Sequence, residues 1–349
     1  MMARVRTVTG EIDASALGVT LFHEHLINNG SAAWHAPQPG DVMGERIASA
    51  PVRMEFLGRL RNDPYLSLDN CSLDDVDVAA EEAAFFAAAG GNTIVEVTLE
   101  GIGRDPQALV EIAGRTGLNI VMGCGFYLER AHPPGLSAMP IDDIADVMVR
   151  DVVDGVDGVH AGVIGEIGVG PHFTDAEQRV LRAAARAQKR TAVPLSVHMP
   201  GWERYGMRVL DIVDEEGGDL SSVVLAHMNP SGQDRQYQHT LADRGAYIEY
   251  DMLGMEFYYP GEGQSPSDED DAAAVAALVA DGYAGQVLLS HDVFIKTLLR
   301  RYGGFGYAHV LESFVPRLER HGVPRDTALG MLTDNPRSVF ESASRGERR

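Results

Sequence analysis

Short β-branched or apolar runs recur along this chain between longer, Ala-rich amphipathic stretches. That alternation is expected where parallel strands are covered by helices. Eight runs read as strands: Val19–His23, Thr93–Thr98, Ile120–Cys124, Gly162–Ile167, Val193–His198, Val223–His227, Tyr247–Asp251 and Val287–His291. Helical patterns fall between and after them at Leu73–Ala89, Pro106–Gly114, Ile141–Val153, Asp175–Lys189, Glu203–Glu215, Asp270–Ala280 and Tyr307–Glu319. An α/β fold of the (β/α)8 TIM barrel type accommodates this count, with any site at the C-terminal ends of the strands. A doubly wound open sheet would share the alternation, but its nucleotide-binding forms carry a Gly-rich turn after the first strand, and none follows Leu21.

The 349 residues fit one barrel domain spanning 1–349. Within it, Ile27 to Leu68 is rich in Pro, Gly and Asn, and residues 27–71 read as an inserted loop region that shapes the mouth of the barrel. Gly254–Glu269 reads as a mobile, solvated loop and 342–349 as a frayed tail.

Charge narrows the function. A net charge of -22 disfavours a nucleic-acid partner, and the 29 basic residues are nearly all Arg, with Lys only at Lys189 and Lys296. Cys71 and Cys124 have neither a disulfide-framework nor a zinc-ribbon spacing and read as buried thiols. The opening MMARVRTVTG lacks the apolar core of a signal peptide, and no run is long enough to span a membrane. The expectation is a cytoplasmic protein with a small-molecule substrate, compatible with a homodimer.

Candidate chemistry begins at Phe22-His23-Glu24-His25-Leu26, because alternate strand residues face one side and His23 and His25 can converge on one ion while Glu24 points away. Four later strands end in metal-competent side chains: Glu166 in IGEIG, His198 in LSVHMP, His227 in VLAHMN and Asp292 in LLSHDV. A parallel barrel brings such ends to one face. Four imidazoles and two carboxylates suit zinc, manganese, iron or cobalt better than calcium. Six ligands exceed what one open tetrahedral zinc needs, so two divalent transition-metal ions, zinc first, sharing a bridging carboxylate is the economical reading.

With these motifs in place, the chain resembles the phosphotriesterase-like family of the amidohydrolase superfamily. The likeness runs from TLFHEHL through GEIG, SVHMPG and LAHMNP to LLSHDV, RYGGFGYAHV and DNPRSVF. The resemblance implies His23, His25 and Asp292 on one ion and His198 and His227 on the other, with Glu166 and a hydroxide bridging them. The best-known members carry a carboxylated lysine on strand four, where this chain has Glu166, as a branch of the family does. Organophosphate activity therefore does not follow from the likeness.

The expected reaction is hydrolysis of a lactone, ester or amide by that hydroxide, with Asp292 removing the proton. Phosphotriester or phosphodiester hydrolysis on the same site is the alternative. A TatD-type deoxyribonuclease also carries GEIG but is disfavoured by the acidic balance, and a non-catalytic barrel by the complete ligand set. Tyr127, in GCGFY, is a candidate substrate hydrogen-bond donor, with Phe126 beside it. Asp251 is a candidate for binding a polar substrate group or orienting a ligand His, with a helix cap as its bland reading. Trp202, Tyr258 and Tyr259 are candidate pocket walls. His291 and His309 read as structural.

Overall fold

A computed structural model describes residues 3–345. Eight parallel strands form one sheet in sequential order: β1 (Thr20–Glu24), β2 (Thr93–Glu96), β3 (Asn119–Cys124), β4 (Val163–Gly168), β5 (Leu195–His198), β6 (Val223–Leu225), β7 (Tyr247–Tyr250) and β8 (Val287–Leu289). Each strand coincides with one of the apolar runs expected from the pattern, with ends shifted by a few residues. Helices α1 (Val76–Ala88), α2 (Pro106–Thr116), α3 (Ile141–Val153), α4 (Asp175–Thr191), α5 (Gly206–Glu215), α6 (Arg235–Asp243) and α7 (Asp268–Ala280) surround the sheet. After β8 the chain continues helically over Val310–Arg320 and in two further helices. Among the described residues, no helix is long and apolar enough to cross a membrane.

The pleat sorts the core into two layers. Leu21, Ile94, Ile120, Ile164, Leu195 and Ile248 pack outward against the helices, while Val95, Val97, Val121, Val163, Val224, Tyr247 and Leu288 fill the barrel interior. An antiparallel hairpin, Arg4–Thr7 with Gly10–Asp13, lies at the bottom, where Val5 and Leu17 join Phe22 and Phe340 of the last helix. Burial of that interior leaves one accessible face, at the C-terminal strand ends.

The ladder is open between β1 and β8, and side chains close the seam. Ser290 Oγ donates to the His23 carbonyl at 2.7 Å and to Glu24 Oε1 at 2.8 Å. Glu24 also accepts from His291 N (2.9 Å), from His291 Nδ1 (2.7 Å) and from Val293 N (3.0 Å). Thus Glu24 does point away from the His23/His25 side, and its carboxylate stitches the barrel shut. His291 completes the seam by accepting from Val310 N at 2.9 Å, the structural role expected for it.

One loop expectation gains detail and two others need correction. The 27–71 segment does reach the mouth, but it is folded: Ile47, Val52, Phe56, Leu60 and Leu66 make a small core of their own. It is pinned to the chain beyond β8 by Lys296 to Asp69 (2.7 Å) and by Thr297 N to Asn70 Oδ1 (2.9 Å). The 254–269 loop is not simply solvated: it forms a small hairpin, Tyr258–Tyr259 with Gly263–Gln264, buries Tyr259, and contributes the first residues of α7. Asp268 there binds Gly254 N at 2.7 Å and His309 Nε2 at 2.6 Å, which fixes His309 as structural. The expected tail at 342–349 starts inside the last helix, Asp334–Arg345, because Val339, Phe340 and Ala343 are buried; residues 346–349 lie outside the described residues.

Removing the Glu24 carboxylate strands several buried donors at the seam. Glu24→Ala should therefore lower the unfolding free energy by ~2–4 kcal/mol in urea denaturation. A loss well under ~1 kcal/mol would show that the seam does not depend on it.

Candidate metal centre

Five of the six expected ligands are buried at the C-terminal ends of β1, β4, β6 and β8, and the sixth, His198 at the end of β5, is partly open to the cavity. His23 and His25 reach inward because the β1–β2 register shifts between Leu21 and Glu24, so the strand is not regular where the site begins. At the other end of the set, His227 (φ 56°) and Asp292 (φ 51°) both take left-handed backbone conformations. Such φ values are uncommon outside glycine and concentrate at functional sites. They re-aim the two side chains just past the last laddered residues, Leu225 and Leu289.

Glu166 is the hub. Its Oε1 lies 3.3 Å from His25 Nε2, while its Oε2 lies 2.9 Å from His198 Nδ1 and 3.5 Å from both His23 Nε2 and His227 Nε2. Asp292 Oδ1 lies 3.2 Å from His25 Nε2 and 3.6 Å from His23 Nε2. These contacts group as His23, His25 and Glu166; as Glu166, His198 and His227; and as His23, His227 and Asp292. The first two groups share Glu166, as a bridging ligand would require. All six sequence-derived ligands are brought together.

The donor set fits divalent cations. Both ring nitrogens of His23 are buried without a hydrogen-bond partner, which is costly unless something else satisfies them. Burial disfavours charge on His23 and His25, yet the surrounding carboxylates prevail and raise their pKa values to about 9 and about 10. Burial also opposes ionisation of Glu166, but His23, His198, His227 and His25 hold its pKa well below the ordinary carboxylate value. The cluster as built calls for positive charge, which bound cations would supply in place of protons.

A supporting layer fixes the imidazoles. Asp251 accepts from His227 N at 2.9 Å and sits 3.0 Å from His227 Nδ1, so it sets that ring's orientation and tautomer. Fully buried beneath the histidines, Asp251 neither lines the cavity nor caps a helix, which removes it as a substrate contact and leaves the orienting role. His25 Nδ1 meets Thr98 Oγ1 at 2.7 Å, and Thr98 in turn donates to Glu96. Sequence reasoning missed that relay, and it missed Glu249. Two residues before Asp251, Glu249 faces His23 Nδ1 at 3.8 Å with both oxygens unpartnered, and burial pushes its carboxyl up to about 7. The alternation in IEYD already placed Glu249 and Asp251 on one side of the strand.

Over the cluster lies a cavity of about 1090 Å³, its open mouth included, walled by Tyr65, Tyr127, Trp202, Tyr259, Met252 and Phe294 among others. Tyr127 stands 3.4 Å from His198 Nδ1 through its hydroxyl, and burial, then Glu166, push its pKa well above the usual tyrosine value. It therefore keeps a proton to donate. Trp202 and Tyr259 wall the cavity as expected; Tyr258 is exposed outside it, and Phe126 packs in the core beside His132. Tyr65, Arg130 and Glu262 were not anticipated, because each lies in a loop with no periodic signal.

The model of the phosphotriesterase family matches residues 3–340. N-acetyltaurine hydrolase of Salmo salar is 35% identical over 343 residues, covering 97% of both chains. Among solved structures, a resiniferatoxin-binding protein from Rhodobacter sphaeroides is 49% identical with a TM-score of 0.95, covering 97% of this chain and 95% of that one. The phosphotriesterase homology protein of Escherichia coli, complexed with phosphate in its active site, is 26% identical with a TM-score of 0.75, covering 93% and 99%.

If Asp251 orients His227, Asp251→Ala should leave the fold intact but weaken metal retention and activity by ~10–100-fold, the usual cost of losing a partner behind a ligand. Competition with a chelator measures it; unchanged retention would contradict the orienting role.

Proposed function

Because the chain belongs to the phosphotriesterase family and is a hydrolase of that family, we propose that it holds two divalent transition-metal ions, zinc first, and hydrolyses the amide bond of small N-acyl compounds of the N-acetyltaurine kind. The observation that carries the reading is the Glu166 hub, with imidazoles distributed over its two oxygens. End-to-end similarity to N-acetyltaurine hydrolases supports the amide over the lactone, ester or phosphotriester alternatives. In this reading His23, His25 and Asp292 hold one ion, His198 and His227 the other, and Glu166 serves both.

Two ions so held supply a Lewis acid and a water acidified towards neutral pH. The chain's own groups do the rest. Water adds to the amide carbonyl, the C–N bond breaks, and the proton lost by water ends on the amine nitrogen. Asp292 is the proton carrier: its carboxylate borders the cavity, and although burial opposes ionisation, His25 and its neighbours lower its pKa, so it enters the reaction as a base. The Tyr127 hydroxyl donates to the carbonyl oxygen or its tetrahedral successor. Tyr65, Trp202 and Tyr259 keep the bond away from bulk water.

Metal-free protein given zinc or manganese in degassed, bicarbonate-free buffer should regain full turnover of acetylated taurine, since Glu166 needs no captured CO2. A bicarbonate requirement would remove Glu166 as the bridge, and turnover confined to phosphotriesters would overturn the amide reading. Asp292→Asn should depress kcat by ~10²–10⁴-fold in metal-replete protein, the range of a lost general base; normal turnover would reject that role.

A further inference from the structure

The cavity is lined by the acids Glu166, Glu262 and Asp292, and by a single Arg, Arg130. With 51 acidic against 29 basic residues, arginines of this chain readily find partners, as Arg104 does with Asp151 and Arg186 with Glu216. Arg130 has none: among the described residues no carboxylate lies within ion-pairing distance of its guanidinium, although its charge is felt by Tyr65, Tyr127 and Glu262 around it. Burial pushes the Glu262 carboxyl up from its ordinary value, and the charge of Arg130 opposes that without forming an ion pair.

The segment that presents Arg130 is held. It follows β3 in a 3-10 turn, Glu129–Ala131, closed by Ala131 N to Leu128 O (2.8 Å) and His132 N to Glu129 O (3.0 Å). His132 Nε2 bonds the Tyr127 carbonyl at 2.8 Å, and Glu129 N donates to Glu177 Oε1 at 3.2 Å, tying the turn to α4. Ala131 O presses on Gly101, where an added Cβ would sit 2.3 Å away, so the loop after β2 buttresses it from the far side. The turn is held while the Arg130 side chain is exposed at the mouth of the cavity without an ion pair, and a guanidinium so placed binds a planar or tetrahedral oxyanion through two donors at once.

Arg130 and Tyr127, three residues apart on the loop after β3, both line the cavity, and the Tyr127 hydroxyl is at His198. One ligand can therefore put its carbonyl at Tyr127 and His198 and its acid at Arg130.

We propose that Arg130 is the specificity residue of this site: it docks the sulfonate or carboxylate at the far end of a short N-acyl amide and so selects acid-tailed substrates over neutral ones. This rests on the amide reading above. It assigns Arg130 to binding, with no part in the bond-breaking step.

The test compares acetylated taurine, acetylated β-alanine and the neutral N-propylacetamide in metal-replete wild type, Arg130→Gln and Arg130→Lys. Arg130→Gln should raise KM for the two acid-tailed amides by ~10–100-fold, the loss expected of one charge-assisted contact. Its metal content should match wild type, and its activity on the neutral amide should fall far less than that on the acid-tailed pair. Arg130→Lys should recover part of the loss. The ratio of sulfonate to carboxylate turnover tells which acid the site prefers. An Arg130→Gln enzyme that keeps the wild-type preference for acid-tailed over neutral amides would overturn the proposal while leaving amide hydrolysis standing. Inhibition of 4-nitrophenyl acetate turnover by ethanesulfonate separates the two claims. If wild type cleaves the ester but no amide, the amide reading falls; inhibition that Arg130→Gln weakens would still support the anion site, and inhibition that it leaves intact would overturn that as well.

Discussion

Burying ionised carboxylates among imidazoles at the C-terminal end of a barrel is the constraint on which this structure turns. A buried charge without partners costs several kcal/mol, so each ionised acid placed there must be matched locally, and Glu249, whose oxygens find no partner, is instead pushed by burial towards its neutral form. Glu24 is matched by donors from the β8 end and in doing so closes the barrel. Asp251 is matched by the backbone and ring of His227, and Glu96 by Thr98 and the Leu26 amide. Glu166 and Asp292 are matched only by histidines that must hold protons to do it, and His23 is left with both nitrogens unbonded. The first three arrangements are finished structures. The last is a cluster shaped to receive cations.

The same accounting explains what could be read in the sequence. Strand alternation and the HxH of His23 and His25 were legible because both follow from a period of two, and the single His or acid at the end of each later strand stood out against apolar runs. How the chain leaves those strands was not legible. His227 and Asp292 reach the centre through left-handed backbone, and β1 through a register shift, none of which alternation encodes. Helix α6, RQYQHTLAD, escaped notice because only Gln238, Leu241 and Ala242 of it are buried, too few for a clear apolar stripe. The N-terminal hairpin was missed because its second strand, GEID, has no buried residue.

Loops carried the rest. Pro, Gly and Asn content in 27–71 suggested an inserted loop at the mouth, and the composition of 254–269 a mobile, solvated one, yet both fold back, one through its own apolar core and the other through Tyr259 and Asp268. Their folding is what gives the mouth fixed walls. Of the cavity-lining groups, Tyr65 and Glu262 sit on these segments, and Arg130 on the loop after β3. The barrel thus fixes the chemistry at its strand ends, while the loops decide what reaches it.

The central claim is that Glu166 joins two cation sites. Anomalous scattering from crystals grown with zinc, recorded on both sides of the zinc absorption edge, tests it most directly. The account predicts two strong peaks flanking the Glu166 carboxylate, one beside His23, His25 and Asp292 and one beside His198 and His227. A single peak at full zinc saturation, or peaks away from Glu166, would contradict it.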